Sequence, residues 1–218
     1  GTFAHAIEGG DLCSRPEEAL RVATGLSRER QAEVIIAEPA GICAELAQRV
    51  LVPAKRTLDG SFSVAPLSVL VDPIRALRVL RPDSDRKLAQ EISNLYRRQL
   101  AEAEIVVINK SDILPANKSA ILREAIREVS PNAKIFSVSA KSGAGLEEWF
   151  ECLMTKETGV GSNGSLAPKS VEEARASLAW LNCTVSISSV RYFDAGKVLI
   201  DLATCVQSLL QSEGGEIA

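Results

Sequence analysis

The chain has 218 residues, of which 46% are hydrophobic, with a formal net charge of −3 and a pI near 5.4. This length suits one α/β domain, or one domain with a small appendage. Scattered basic residues argue against nucleic-acid binding, no apolar run is long enough to span a bilayer, and five cysteines without Cys-x-x-Cys spacing predict a reducing, cytoplasmic location.

The first half of the chain contains five predicted elements. The stretch Ser14-Arg15-Pro16-Glu17 has the form of a capping box with proline at the first helical position. Pro53 should end or bend the helix that precedes it. From apolar runs and apolar spacing, the elements are a helix over about 16 to 30, a strand over 34 to 37, a helix over 43 to 52, a strand over 63 to 72 and a helix over about 84 to 103.

The second half continues this alternation and then changes composition. Its elements are a strand over 104 to 109, a helix over about 117 to 129, a strand over 134 to 139 and a helix over about 144 to 154. Alternation of this kind predicts an α/β fold, a mostly parallel sheet with helices on both faces. The predicted division is a first domain over 1–154, a flexible Gly- and Ser-rich linker over 155–170 and a small, partial α/β unit over 171–218. This last unit is predicted to contain a helix over about 171 to 180, a strand over 183 to 190 and a helix over about 195 to 211.

Two short motifs follow two of the predicted strands. Asn109-Lys110-Ser111-Asp112 follows the run Ile-Val-Val-Ile, and Ser139-Ala140-Lys141 ends the run that begins Ile-Phe-Ser-Val. A carboxylate such as that of Asp112 can accept two hydrogen bonds, from the N1–H and the exocyclic amine of guanine, and charge-assisted pairs of this kind are strong. Adenine cannot offer this pattern, so Asp112 is the predicted base selector.

The other motif residues have predicted roles around the same base. Asn109 should tie its loop to the neighbouring loop and face the purine N7. The aliphatic stem of Lys110 should lie over the ring, and the backbone N–H of Ala140 should meet the guanine O6. Nucleotides bind at the carboxyl ends of parallel strands in α/β folds, so both motifs together predict a guanine-nucleotide site.

A phosphate-binding loop of the form Gly-x-x-x-x-Gly-Lys-[Ser/Thr] does not occur in the sequence. The nearest match, Gly196-Lys197, comes after the linker and is followed by Val198. In GTPases this loop precedes the guanine motifs, so the chain is interpreted as an N-terminally truncated part of a longer protein. Phosphoryl transfer depends on positioning around the phosphates, and the chain alone is therefore expected to be inactive in GTP hydrolysis.

The order of Glu38-Pro39-Ala40-Gly41, the Asn-Lys-x-Asp motif and the Ser-Ala-Lys motif resembles the metallochaperone GTPases of the CobW, UreG and HypB group, and CobW-like proteins fit best. The resemblance implies a P-loop GTPase-like fold, GTP or GDP with Mg²⁺ as cofactors, and a GTP-hydrolysing switch linked to the delivery of a metal or metallocofactor. It places Glu38 at a strand end as the catalytic residue, where it would hold Mg²⁺ through water or orient the attacking water. The alternative is a polar residue that caps the next helix.

CobW-like proteins also carry a Gly-Gly-Cys-x-Cys-Cys metal motif, whose position here reads Gly-Gly-Asp-Leu-Cys-Ser over residues 9–14. The candidate metal ligands are Asp11 and Cys13, for Zn²⁺ or cobalt, and a soft tetrahedral site would need Cys43 or His5 to join them. The implied partners are a guanine nucleotide and a metal-acceptor protein, without nucleic acid or membrane. A homodimer is left open.

Two other interpretations compete with this one. A degenerate GTPase-like module could keep the fold as a protein-interaction surface without nucleotide chemistry, in agreement with the altered cysteine motif. An unrelated α/β enzyme could use Asp72 or Asp112 as a general base. The intact guanine motifs favour the nucleotide interpretation over both, because folding alone does not require those side chains.

Overall fold

A computed structural model describes residues 15–38, 45–57, 62–81, 90–159 and 185–213 of the chain. It divides into two compact units, Gly1–Ala179 and Trp180–Ala218, and each is described by itself. The predicted division into residues 1–154, 155–170 and 171–218 stays a prediction.

A parallel three-stranded sheet forms the centre of the first unit. Its strands are β1 (Ser68–Val71), β2 (Ile105–Ile108) and β3 (Lys134–Ser137), in the spatial order β1-β2-β3. Both pairs are parallel, and the last residues of the three strands, Val71, Ile108 and Ser137, lie side by side. The predicted α/β fold with a parallel sheet is confirmed.

Helices connect and flank these strands. The described helices of the first unit are α1 (Pro16–Arg30), a π-helical turn (Ala47–Leu51) that leads into α2 (Val52–Thr57), α3 (Pro73–Leu80), α4 (Gln90–Ala101), a 3-10 turn (Ser111–Ile113), α5 (Ala116–Val129) and α6 (Leu146–Thr155). The predicted α1, α5 and α6 are confirmed to within two residues. Pro16 holds the first position of α1 as predicted, but Arg15 is the N-cap residue, and Ser14 lies outside the described residues.

The strand β2 divides the core into two layers because successive side chains of a strand point to opposite faces. Val106 and Ile108 are fully buried against residues of α3, α4 and α5. Ile105 and Val107 pack on the other face against Cys152 of α6. All four side chains of β2 are buried, which explains why this strand reads as a continuous apolar run. The predicted placement of helices on both faces is confirmed.

The strand predicted over 34 to 37 is wrong. Residues 34–38 have no regular structure, and the side chains of Val34 and Ile36 are 58% and 88% exposed. A strand requires a neighbouring backbone to satisfy its N–H and C=O groups. Within the described ranges, no strand pairs with residues 34–37 and the sheet ends at β1.

Two predicted boundaries also differ from the structure. The strand predicted over 63 to 72 begins only at Ser68, because its partner β2 begins at Ile105 and the N–H of Leu67 donates instead to the Glu104 carboxylate, at 3.0 Å. The helix expected to end or bend at Pro53 continues through it to Thr57. Proline removes a donor and crowds the preceding turn, and the wider π-helical turn lies directly before it.

Helix α3 was not predicted from the sequence. The Asp72 side chain caps this helix by accepting hydrogen bonds from the N–H groups of Ile74 and Arg75, at 2.9 and 3.0 Å. Pro73 then occupies the first helical turn. An aspartate before a proline and a run of apolar residues is the sequence signal for such a start.

The second unit contains α7 (Ala195–Ser212), close to the predicted helix, with Asp194 as its N-cap residue. The strand predicted over 183 to 190 is wrong for its described part, because residues 185–190 pair with no other described segment and Val185 is 62% exposed. The helix predicted over 171 to 180 lies outside the described residues. In the parts of the chain that the structure describes, no helix has the length and apolar character needed to cross a membrane.

Candidate functional site

Polar residues follow all three strands at the same edge of the sheet. Since Val71, Ile108 and Ser137 lie in register, the residues that follow them also lie at one level. These are Asp72 after β1 and Asn109 after β2, while Ser139 comes two residues after β3. The carboxyl edge of a parallel sheet therefore gathers residues that are far apart in sequence, as in other α/β binding sites.

A cleft of about 410 Å³ lies at this edge. Five of the six residues predicted around a guanine base line it, and Ile113, which was not predicted, completes the lining: Asn109, Lys110, Asp112, Ile113, Ala140 and Lys141. The sixth predicted residue, Ser139, is fully buried behind the cleft. The structure thus brings the two motifs together, and Ile113 adds an apolar surface that only its position next to Asp112 could have indicated.

A hydrogen bond between side chain and backbone joins the two motif loops. The Oδ1 atom of Asn109 accepts from the backbone N–H of Ala140 at 3.0 Å, and the N–H of Ser111 donates to the carbonyl of Val138 at 3.0 Å. The predicted tie through Asn109 is therefore present. The same Ala140 N–H was predicted to meet guanine O6, and in this structure that N–H is engaged by Asn109, so contact with a base would require it to be shared.

Asp112 presents an exposed carboxylate to the cleft, on the 3-10 turn that follows Lys110. The hydrogen bond from Ser139 lowers the pKa of Asp112 below its usual range, and the charge of Lys141 acts in the same direction. The hydroxyl oxygen of Ser139 also accepts from the N–H of Ser142, at 3.3 Å. The buried serine therefore orients an aspartate that is fully ionised at neutral pH.

Lys110 has a left-handed backbone, with φ of 56°, and its Nζ atom lies 2.7 Å from Oδ2 of Asp72. Burial alone would raise the pKa of Asp72, but hydrogen bonds from Lys110, Arg75 and Ile74 outweigh it and lower that pKa. The pairing in turn raises the pKa of Lys110. From the sequence, Asp72 was predicted only as an alternative general base, because no local pattern connects residues that are 38 positions apart.

The loop after β3 is closed by its own backbone. The N–H of Ser139 donates to the carbonyl of Ala144 at 2.9 Å, and the N–H of Gly143 donates to the carbonyl of Ser139 at 2.8 Å. Gly143 and Gly145 both have a positive φ, of 82° and 71°, which glycine adopts at little cost. These bonds hold Ser139 inside a tight turn and leave Ala140 and Lys141 at the surface.

Of the remaining predicted site residues, the structure describes Glu38 alone. Glu38 is exposed at the end of a segment without regular structure, and it does not line the cleft. Asp11, Cys13, His5 and Cys43 lie outside the described residues. Over the described ranges, no three His, Cys, Asp or Glu side chains are grouped so that they could hold a metal ion.

The geometry offers a planar, partly apolar ligand a defined set of partners. An ionised carboxylate on one side can accept two hydrogen bonds from adjacent N–H groups. The aliphatic stem of Lys110 and the side chain of Ile113 supply apolar surface. The amide of Asn109 and the backbone of Ala140 supply further polar groups. This combination fits a purine that carries an N–H next to an exocyclic amine, and it does not fit adenine.

Comparisons with known proteins identify a matching family model and similar proteins. A family model described as the CobW/HypB/UreG nucleotide-binding domain matches residues 3–137, which include the first guanine motif and Glu38 but end before Ser139. The hydrogenase maturation factor HypB of Cupriavidus necator is 29% identical over 69 residues, or 31% of this chain and 19% of that protein. The chain thus spans about a fifth of the length of this curated relative.

A crystal structure of the hydrogenase maturation factor HypB from Archaeoglobus fulgidus is also similar. The match covers 66% of this chain and 84% of that chain, at 17% sequence identity and a TM-score of 0.33. At that score the similarity carries no argument about fold or function.

Proposed function

Because the chain belongs to the CobW/HypB/UreG family of nucleotide-binding domains, we propose that its cleft binds the base of a guanine nucleotide, as part of a CobW-like GTP-hydrolysing switch. The observation that carries the proposal is the meeting of the two motifs in one cleft, with the Asp112 carboxylate exposed in it. Two unrelated strand-to-helix loops would not require the hydrogen bond that joins Asn109 to Ala140.

Base selection follows from the charge state of Asp112. The hydrogen bond from Ser139 keeps its pKa low, so the carboxylate is an acceptor on both oxygens at neutral pH. Guanine presents two donors at this edge, whereas adenine presents an acceptor where guanine has its N1–H. A site built around a charged acceptor rejects a ligand that leaves it unpaired. The cleft should therefore bind GDP in preference to ADP.

The hydrolytic and metal-delivery parts of the proposal rest on the resemblance to CobW-like proteins. They comprise Mg²⁺ and Glu38 at the phosphates, Zn²⁺ or cobalt at Asp11 and Cys13, a metal-acceptor protein as partner, and a cytoplasmic location. The exposed position of Glu38 leaves its carboxylate accessible to a ligand.

Isothermal titration calorimetry of the chain with GDP tests the base site, with ADP as the control ligand. The expected result is binding of GDP with at least tenfold preference over ADP. Asp112→Ala should weaken GDP binding about 10- to 100-fold, the range for loss of hydrogen bonds to a charged group, and it should leave any weak binding of ADP unchanged.

Asp201→Ala provides a matched control, because it also removes an exposed carboxylate, from α7 in the second unit. It should bind GDP like the original chain. Equal affinities for GDP and ADP would contradict guanine selection. Absence of binding to both nucleotides would contradict the proposal and favour a protein-interaction module instead.

A further inference from the structure

The two carboxylate oxygens of Asp72 have different partners. Oδ1 accepts from the backbone N–H groups of Ile74 and Arg75, at 2.9 and 3.0 Å, and so caps α3. Oδ2 accepts from Nζ of Lys110 at 2.7 Å. Capping a helix requires one acceptor oxygen, and the second oxygen is therefore available for a contact with the lining of the cleft.

Lys110 is held at both ends as a result. Its backbone is constrained by the left-handed conformation at the end of β2, and its ammonium group is bound to a carboxylate that is itself fixed by two backbone N–H groups. A free lysine side chain samples many rotamers, and ordering it on binding costs affinity. Because Asp72 holds the ammonium group before a ligand binds, the four-carbon stem of Lys110 forms a fixed part of the cleft wall.

We propose that Asp72 is a positioning residue for the base site, which acts through Lys110 and sets the orientation of the lysine stem against the nucleotide base. The inference rests on the proposed function, since it assigns a residue to that same site. Asp72 itself does not line the cleft, and its contribution should depend on the presence of the Lys110 ammonium group.

The charged state of this pair supports the assignment. The pKa of Asp72 is lowered and that of Lys110 is raised, so both groups are ionised throughout the neutral range. The ionisable side chains that act on Asp72 from neighbouring elements are Lys110 and the partly buried Tyr96 of α4. Among these, Lys110 makes the side-chain hydrogen bond.

Asp72→Asn separates positioning from capping. Asparagine caps helices as well as aspartate does, and its Oδ1 can keep both bonds to α3, but an amide group replaces Oδ2 and faces the ammonium group as a second donor. GDP binding, measured by calorimetry, should weaken about 1.5- to fivefold, which is the range expected from an exposed ion pair. The melting temperature should stay close to that of the original chain.

Asp194→Asn is the matched control, because Asp194 caps α7 in the second unit by accepting from Lys197 N–H at 3.1 Å. It should change neither GDP affinity nor melting temperature by a measurable amount. Lys110→Met keeps an unbranched, apolar side chain and removes the ammonium group. If Asp72 acts through that group, Asp72→Asn should have no further effect on GDP affinity in the Lys110→Met background.

This double-mutant cycle also covers the case in which Asp72→Asn lowers stability, since any loss of capping appears in both backgrounds and cancels. Guanine-selective binding that Asp72→Asn leaves unchanged would overturn the positioning role while the proposed function stands. Independent, additive effects of the two substitutions would overturn it as well, because Asp72 would then act by another route. If the original chain shows no guanine-selective binding, the proposed function fails and the inference fails with it.

Discussion

Gly145→Ala should damage the loop that carries the second guanine motif, whereas Gly143→Ala in the same loop should be tolerated far better. Both glycines have a positive φ, so an alanine at either site meets the conformational cost of the left-handed region, about 1–2 kcal/mol. The two positions differ in the space around a new Cβ atom. This difference isolates the steric contribution.

At Gly145 the added Cβ would lie 2.3 Å from the carbonyl oxygen of Ser137, and at Gly143 it would meet no atom within 4 Å. A separation of 3.0 Å, the shortest that real Cβ atoms show, requires a shift of 0.7 Å. Ser137 ends β3 opposite Ile108, and the next N–H, of Val138, donates to Ile108. A shift of the Ser137 carbonyl therefore disturbs the pairing of β3 with β2.

Forced overpacking of this kind costs about 1–3 kcal/mol. Together with the left-handed backbone, Gly145→Ala should lower the free energy of unfolding by about 2–5 kcal/mol, and Gly143→Ala by only about 1–2 kcal/mol. GDP binding should also weaken more in Gly145→Ala, because the displaced strand end leads directly into Ser139.

Urea denaturation measures both values. The fluorescence of Trp149, which packs on the core beside Cys152, reports on the first unit, and Trp180 would be replaced by Phe in every protein compared. Equal losses of stability in the two variants, or a greater loss in Gly143→Ala, would refute the steric argument. The left-handed backbone would then be the whole cause.

Two further predictions concern the buried hydroxyl of the site and the core. Ser139→Ala should raise the pKa of Asp112 toward its usual value, and an NMR titration of the carboxyl carbon would measure this change; an unchanged titration would contradict the hydrogen bond inferred from Ser139. A carboxyl group whose pKa is lowered by folding stabilises the fold at higher pH, and this contribution is lost as the pH falls through that pKa. In Ser139→Ala, the free energy of unfolding should therefore fall less on acidification than in the original chain. Leu122→Ala removes a fully buried side chain of α5 and should lower the free energy of unfolding by about 2–5 kcal/mol. Ile121→Ala, at the neighbouring position, removes a side chain of a residue that is 44% exposed and should lower it much less. Similar losses of stability in urea denaturation would contradict the burial of Leu122 and the exposure of Ile121.

Local sequence patterns were sufficient for several parts of the structure. Pro16 at the first helical position marked the start of α1 because its fixed φ suits a helix and its missing N–H is not needed there. The two motifs were identified from their residue types, and their meeting at one edge followed from the parallel alternation of strands and helices. Parallel strands bring their carboxyl ends to the same side whatever the details of packing.

Other contacts at the site depended on how distant segments pack. Asp72 could be recognised as a helix cap from its neighbours, but its bond to Lys110 joins residues 38 positions apart. That contact exists because β1 and β2 pair with Val71 opposite Ile108. The burial of Ser139, and hence its hydrogen bond to Asp112, likewise requires the turn closed by Ala144.

Two apolar runs show where sequence and tertiary structure divide. Val-Ile-Ile-Ala at 34–37 and Ile-Val-Val-Ile at 105–108 have nearly the same composition, and both were predicted as strands. The second is the fully buried central strand β2, while the first has no regular structure and exposes Val34 and Ile36. The sequence determined that both segments could form strands, because β-branched residues suit an extended backbone. Only the tertiary structure decided which one became a strand, because a strand is completed by the backbone of its neighbours.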